Sequence, residues 1–304
     1  FMEEKGMKDT HELSEYFLEN ITEMLSKKGV KTSGWQEVAL HHSPEMNARI
    51  APRFAGVYCW STIGKRDVVP YTVANEGYDV ILCNVNNLYI DLAYNPHKDE
   101  PGLTWGGYVN EFTSFNILPY NIYCSARENT AGEKNNLKTA GKGKIQLTEQ
   151  SRPHIKGVQA QLFSETIGSF DMVQYYVFPK IFGLVERGWN AYPEWSPVPN
   201  DDKQALYEKA RAIYNAKIAE IELPRLAADG FNFRVAQPGI KIVEGKLYAN
   251  SPIPQAEIRY TTDGSEPTAT STLWEAPVDC SATVVKAKLF YLGKESLTTD
   301  YKNY

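Results

Sequence analysis

At 304 residues, with 42% hydrophobic and 12% aromatic side chains, the chain has room for two domains or for one barrel with an appendage, and material for a sizeable core, which argues against disorder. Its formal charge of −5 arises from interspersed acids and bases, so no basic stripe is available for nucleic acid. No apolar run nears the roughly 20 residues that span a bilayer.

The chain opens Phe1-Met2-Glu3-Glu4-Lys5, with no methionine in first place and no signal peptide. It reads as a cut end, and localisation is left open. Cys59, Cys83, Cys124 and Cys280 show no Cys-x-x-Cys spacing and no nearby histidine partners, which disfavours zinc and redox motifs. Cys59 and Cys83 lie inside apolar runs and read as small buried hydrophobes.

Asp9 with Glu12 fits a capping pattern, and Leu13, Phe17, Ile21 and Met24 recur at helical spacing up to a stop near Lys28-Gly29. A strand is expected over Lys31–Val38, then a loop with His41 and His42, both read as facing solvent. Phe54–Trp60 is a second strand, Arg66–Asn75 a short helix, and Tyr78–Asn84 a near-continuous apolar strand of the parallel type. From Asn86 to about Ile155 the pattern loosens into a long excursion, rich in Pro, Gly, Asn and Lys around Glu128–Lys144, with short helical pieces. Connections of that length are functional or mobile as a rule. Gly157–Phe163 resumes the strand pattern. Val173, Val177, Ile181 and Leu184 form a helix stripe that Pro179 is positioned to kink. A further helix runs from about Asp201 to Leu223 with Leu206, Ala210 and Ile213 on one face. After Ala227-Ala228-Asp229-Gly230 short alternating stretches take over (Ile240–Ile242, Glu257–Tyr260, Thr283–Leu289), separated by turns such as Asp263-Gly264. That is the pattern of a small antiparallel β-sandwich.

The apolar runs end in aromatic or acidic residues. In (β/α) barrels the C-terminal strand ends carry the chemistry, so rings and carboxylates collected there suggest a sugar pocket. The motifs are Gly34-Trp35-Gln36-Glu37, Gly56-Val57-Tyr58-Cys59-Trp60, Tyr89-Ile90-Asp91, Gly102-Leu103-Thr104-Trp105-Gly106-Gly107, Gln159-Ala160-Gln161-Leu162-Phe163-Ser164-Glu165 and Val185-Glu186-Arg187-Gly188-Trp189. In this order they resemble glycoside hydrolase family 20, the β-N-acetylhexosaminidases, over about residues 1–225. Phe163 stands where that family has tryptophan. The segment with Ile258-Arg259-Tyr260-Thr261-Thr262-Asp263-Gly264 resembles the small domain often appended to these enzymes.

The resemblance implies strands five to eight of a (β/α)8 barrel over residues 1–228 and an immunoglobulin-like sandwich over residues 229–304. It implies substrate-assisted, retaining hydrolysis of terminal β-linked N-acetylglucosamine or N-acetylgalactosamine, in which the sugar's acetamido oxygen attacks the anomeric carbon. Tyr89 would orient that oxygen, Trp35 and Trp60 would wall the acetamido methyl, and Asp91 and Glu165 would accept bonds from sugar hydroxyls. Trp105 would stack on the sugar, with Phe163 in the pocket's aromatic wall. No metal or organic cofactor is implied. The family's Asp-Glu pair belongs to a His-x-Gly-x-Asp-Glu sequence that does not occur here, so the chain alone is expected to be inactive. It is also expected to associate with itself or with a missing N-terminal half. Family members are periplasmic, secreted or lysosomal. A non-catalytic carbohydrate-binding or structural protein is the alternative reading, and a deacetylase or transferase barrel sharing the aromatics is a third. Among the remaining residues, Glu37 is read as an ion-pair partner inside the barrel, Glu186-Arg187 as a structural pair, and Trp189, Trp195 and Trp274 as packing residues.

Overall fold

A computed structural model describes residues 1–129 and 132–302. Thr130 and Ala131, inside the excursion anticipated above, lie outside the described residues, as do Asn303 and Tyr304 at the end of the β-sandwich segment. The first helix, α1 (Thr10–Ser26), is capped by Asp9, whose carboxylate accepts from the His11 and Glu12 amides. Its inward face differs from the apolar stripe read above. Leu18 and Thr22 turn inward, whereas Phe17 and Met24 are exposed. Polar links anchor that inward side: Arg49 Nε donates to Glu19 Oε1 at 2.7 Å, and Arg53 Nη1 donates to the Glu19 carbonyl at 3.2 Å. Apolar spacing marks a stripe but does not say which face ion pairs will dock.

Four parallel strands follow in sequential order: β1 (Thr32–Trp35), β2 (Phe54–Cys59), β3 (Val80–Leu82) and β4 (Ile155–Val158). Register pairs Trp35 with Tyr58, Cys59 with Leu82 and Leu82 with Val158, so the strand ends are level. Each strand is shorter than its apolar run. Beyond Trp35 the chain tightens into a 3-10 turn, Gln36–Ala39, where a strand to Val38 was expected. Between strands run α2 (Pro44–Ile50), α3 (Val69–Asn75), α4 (Val85–Leu88) and α5 (Glu111–Phe115). Val57, Val80, Leu82, Ile155 and Tyr71 form the core between sheet and helices. These are consecutive units of a parallel β/α barrel, as expected.

The stripe around Pro179 is not one kinked helix but two helices, α6 (Phe170–Val177) and α7 (Ile181–Trp189), separated by the cis Phe178–Pro179 peptide. Proline's missing N–H and its ring close the first helix at Val177. Then come α8 (Gln204–Lys217), a π-helical turn (Ile218–Glu222) and α9 (Leu223–Ala228). On α8 the buried residues are Tyr207 and Tyr214, while Leu206 and Ile213 are exposed. The two large rings claim the buried face one position along, because they bury more area than the aliphatic stripe would.

The remaining strands are β5 (Gly239–Val243), β6 (Lys246–Asn250), β7 (Glu257–Thr261), β8 (Thr272–Leu273), β9 (Val278–Asp279), β10 (Val284–Tyr291), β11 (Lys294–Glu295) and β12 (Thr299–Lys302). They form two antiparallel sheets, one built on β10 and β7 and one with the order β5-β6-β9. Asp263 makes the tight turn expected beside Gly264, accepting from the Ser265 amide at 3.0 Å. The sandwich shares a core with the helices. Phe233, Val235, Ile258 and Leu289 cluster with Phe115, Tyr214 and Leu223, and Tyr291 Oη donates to the Ala219 carbonyl at 2.7 Å. All four cysteines are free and buried. Among the described residues, no helix is long and apolar enough to cross a membrane.

Candidate functional site

Level strand ends place five rings side by side. Trp35 closes β1 and Trp60 follows β2. Tyr89 is bridged in parallel to Gln161, whose main chain donates to the Leu88 carbonyl at 2.8 Å and accepts from the Ile90 amide at 2.9 Å. The rings form a continuous row. Trp35 meets Phe163 at 6.5 Å between centroids, Phe163 meets Tyr89 edge-on at 5.4 Å, and Tyr89 lies nearly parallel to Trp60 at 6.3 Å. Trp105 stands edge-on to both Tyr89 and Trp60, at 5.9 and 6.2 Å. Tyr89 is 5% exposed, against 40% for Trp35, 39% for Phe163 and 54% for Trp105. The tyrosine is therefore floor and the others are walls, an open cleft lined by flat aromatic faces.

Two polar residues build this row, and the sequence reading assigned neither of them a role. Gln36 is buried, and its Oε1 accepts from the Trp60 and Ser61 amides at 3.0 Å each. It stitches the end of β1 to the end of β2. Lys180 is fully buried, and its Nζ donates to the carbonyls of Ile90 at 2.8 Å and Leu92 at 2.6 Å, above the Tyr94 ring at 3.7 Å. Those carbonyls flank Asp91, so the lysine Nζ fixes the backbone that carries the carboxylate, while burial pulls its pKa well below the usual lysine range. A lone lysine following a proline gives no sequence signal of this role, since its partners lie about ninety positions upstream. Lys180→Met should strand both carbonyls, each unpaired buried group costing about 1–3 kcal/mol. Urea unfolding of the chain measures this. A loss below about 0.5 kcal/mol, the scale of an ordinary surface change, would remove Lys180 from this role.

Gly102 lays the Trp105 loop against the same backbone. Its φ is +118°, and a Cβ there would sit 2.6 Å from the Ala93 nitrogen and 2.9 Å from the Asp91 carbonyl. Only glycine allows that approach, and the Ala93 amide then donates to the Leu103 carbonyl at 2.9 Å.

Electrostatics suit hydrogen bonding rather than nucleophilic attack. Burial pushes the Tyr89 phenol up, reinforced by Cys83, Asp91 and Glu37, so it stays a donor at neutral pH. Burial likewise raises the Asp91 carboxyl; its own and the Phe163 main-chain amides and Lys180 oppose that rise, while nearby Glu165 adds to it. Among the described residues, Asp91 Oδ1 is buried without a hydrogen-bond partner, as is Gln161 Nε2. Glu165 is exposed beside them.

Several expectations need correction. Glu37 makes no ion pair among the described residues; it is exposed and accepts the Trp60 indole N–H at 3.1 and 3.4 Å. Glu186 pairs with Lys217 at 3.2 Å rather than with Arg187. Arg187 is buried, donates to the Asn190 and Phe115 carbonyls and lies over the Trp195 ring. Trp195 and Trp274 pack as expected, but Trp189 is 90% exposed. His42 does not face solvent; its side chain is 5% exposed against α1. A cavity of about 1470 Å3 elsewhere in the molecule is lined by Asn84, Asn87, Asn116, Arg127 and Tyr207 among others, and by none of the five rings.

Residues 1–192 match the family model for the glycosyl hydrolase family 20 catalytic domain, and residues 222–296 match the chitobiase/beta-hexosaminidase C-terminal domain. The chain is 28% identical over 273 residues to an N,N'-diacetylchitobiase of Vibrio harveyi, covering 84% of this chain and 29% of that protein. It is 25% identical over 294 residues to a beta-hexosaminidase of Porphyromonas gingivalis, covering 93% and 31%. It thus spans less than a third of the length of either relative. In fold it is similar to the GH20 exo beta-N-acetylglucosaminidase of Vibrio harveyi in complex with N-acetylglucosamine, with a TM-score of 0.52 and 21% identity over 77% of this chain and 29% of that one. Motif order, parallel strand order and the family model over residues 1–192 agree: the chain belongs to glycosyl hydrolase family 20.

Proposed function

We propose that this chain supplies the sugar-binding wall of a β-N-acetylhexosaminidase that removes terminal β-linked N-acetylglucosamine or N-acetylgalactosamine. The observation that carries this reading is the unbroken row Trp35–Phe163–Tyr89–Trp60–Trp105 with Asp91 and Glu165 beside it. Trp35 and Trp60 wall the acetamido methyl, an apolar contact that indole faces suit. Tyr89 donates to the acetamido oxygen and holds it in line with the anomeric carbon. Asp91 and Glu165 accept from ring hydroxyls as charged acceptors, and Trp105 and Phe163 stack against the sugar. In the reaction the acetamido oxygen forms the new bond to the anomeric carbon as the glycosidic oxygen departs with a proton from a carboxylic acid. Water then opens the cyclic intermediate, giving net retention. In this reading the acid comes from a segment that these 304 residues do not contain.

The chain divides on this reading into residues 1–228, which shape the cleft, and residues 229–304, which pack against α8 rather than bind sugar. Among the described residues, the outer strands β1 and β4 each pair with one neighbouring strand. They are assigned to pairing with further barrel strands or with a second copy.

Titration with N-acetylglucosamine, read by tryptophan fluorescence, tests the reading directly. Saturable quenching that glucose does not reproduce, lost in Trp60→Ala, is expected. An equal response to both sugars would sink the acetamido pocket. Release of nitrophenol from a β-N-acetylglucosaminide should need the general acid as well, which contributes roughly 10²–10⁴-fold. Turnover by the 304-residue chain alone would refute the placement of the acid.

A further inference from the structure

Away from the ring row, two histidines and a carboxylate from separate segments meet. His11 and Glu15 lie four residues apart on α1, one turn along the same face. The loop beyond Glu37 brings His42 across to them. His42 Nδ1 lies 2.8 Å from Glu15 Oε1, and His11 Nε2 lies 3.6 Å from the same oxygen. All three donor atoms fall within 4.8 Å of one another. The imidazoles are 6.0 Å apart and tilted by only 22°.

We propose that His11, Glu15 and His42 bind a divalent transition-metal ion of the zinc class, with water completing the coordination. Three protein ligands of the type His, His, Glu plus an open position are a recurrent zinc arrangement. Tetrahedral ligands at about 2.0–2.2 Å from the metal stand roughly 3.3 Å from each other, and the spacings of 2.8 and 3.6 Å bracket that value. The ring that ligates is already oriented. His42 Nε2 lies 3.1 Å from the Val38 carbonyl, so its N–H is directed there and Nδ1 keeps its lone pair for the metal, the outer contact that ligating histidines usually make. The mixed nitrogen and oxygen set suits zinc better than calcium or magnesium, which take oxygen ligands.

An entry path exists, since the His11 side chain is 46% exposed and that of Glu15 27%. On binding, His11 Nε2 gives up its 3.2 Å contact with the His41 carbonyl, a small change for an exposed ring. The ion would clamp α1 to the loop that follows Trp35 and Glu37.

The test is calorimetric titration of the untagged chain with Zn²⁺ in a non-coordinating buffer, with Co²⁺ as a spectroscopic probe. One ion per chain is expected, with the intense visible absorption of four-coordinate cobalt and a raised melting midpoint. His11→Gln and Glu15→Gln should each weaken affinity by about tenfold or more. His11→Gln should leave the metal-free melting midpoint unchanged, and His41→Gln should leave the affinity unchanged. Absence of a bound ion would overturn the site. So would affinity unaltered in His11→Gln and Glu15→Gln, which would place any binding away from this cluster.

Discussion

Tyr89→Phe, in an active hexosaminidase carrying this chain, should lower kcat by about 10²–10³-fold, the scale of losing one preorganised donor at a site of developing charge, with a much smaller change in KM. On the function proposed above, the substrate's acetamido oxygen is a neutral carbonyl until it attacks. As it bonds to the anomeric carbon, charge redistributes through the amide and the geometry of attack becomes strict. A phenol that orients this group acts most strongly in the transition state, so its loss falls on turnover. The hydroxyl is a dependable donor because burial holds the phenol protonated. Phenylalanine keeps the ring contacts with Phe163, Trp60 and Trp105, so folding should be little changed. Steady-state kinetics with an aryl β-N-acetylglucosaminide decide the matter. An unchanged kcat with a raised KM would reduce Tyr89 to a ground-state contact.

Glu100→Gln should cost the fold about 3–5 kcal/mol, the usual result of leaving one member of a buried ion pair alone. The Glu100 side chain is fully buried and that of Arg234 5% exposed. Arg234 donates through Nε at 3.1 Å and Nη2 at 2.9 Å to Glu100 Oε2, and Tyr175 Oη donates to Oε1 at 2.8 Å. The guanidinium also lies 4.4 Å from the Tyr94 ring centre, and the Arg234 amide donates to the Phe178 carbonyl at 3.1 Å. The pair therefore joins the entrance of the sandwich segment to the loop ahead of Gly102. Glutamine keeps the volume but leaves a buried guanidinium without its counter-charge. Guanidine or urea unfolding of the 304-residue chain measures the loss, and Glu100→Gln combined with Arg234→Met should recover part of it, because the orphaned charge is then gone. A single-variant loss under about 1 kcal/mol would show that the pair is solvated in practice.

The ring row was readable because strand ends punctuate the chain. Trp35, Trp60, Tyr89 and Phe163 each close or follow an apolar run, and a parallel sheet of level strands brings such positions together whatever lies between them. The same logic made the change from 3.6-residue to two-residue periodicity near Gly230 visible, and with it the sandwich. The burial of Cys59 and Cys83 and the Asp9 cap were legible for a similar reason, since each depends on neighbours close in sequence, whereas that of Cys124 and Cys280 was not read.

What periodicity left undetermined is which face of an element meets which partner. The Phe17–Met24 side of α1 and the Leu206–Ile213 side of α8 looked like core, yet charge pairs and larger rings turned other faces inward. The bonding roles of Gln36, Lys180 and His42 carry no local signal, although Gln36 sits inside a recognised motif. Gln36 finds main-chain amides two dozen residues away, Lys180 finds carbonyls some ninety residues away, and His42 meets Glu15 from a different element. Local propensity and burial are written into neighbouring residues, whereas satisfying a buried polar atom depends on whatever the fold delivers to within about 3 Å of it.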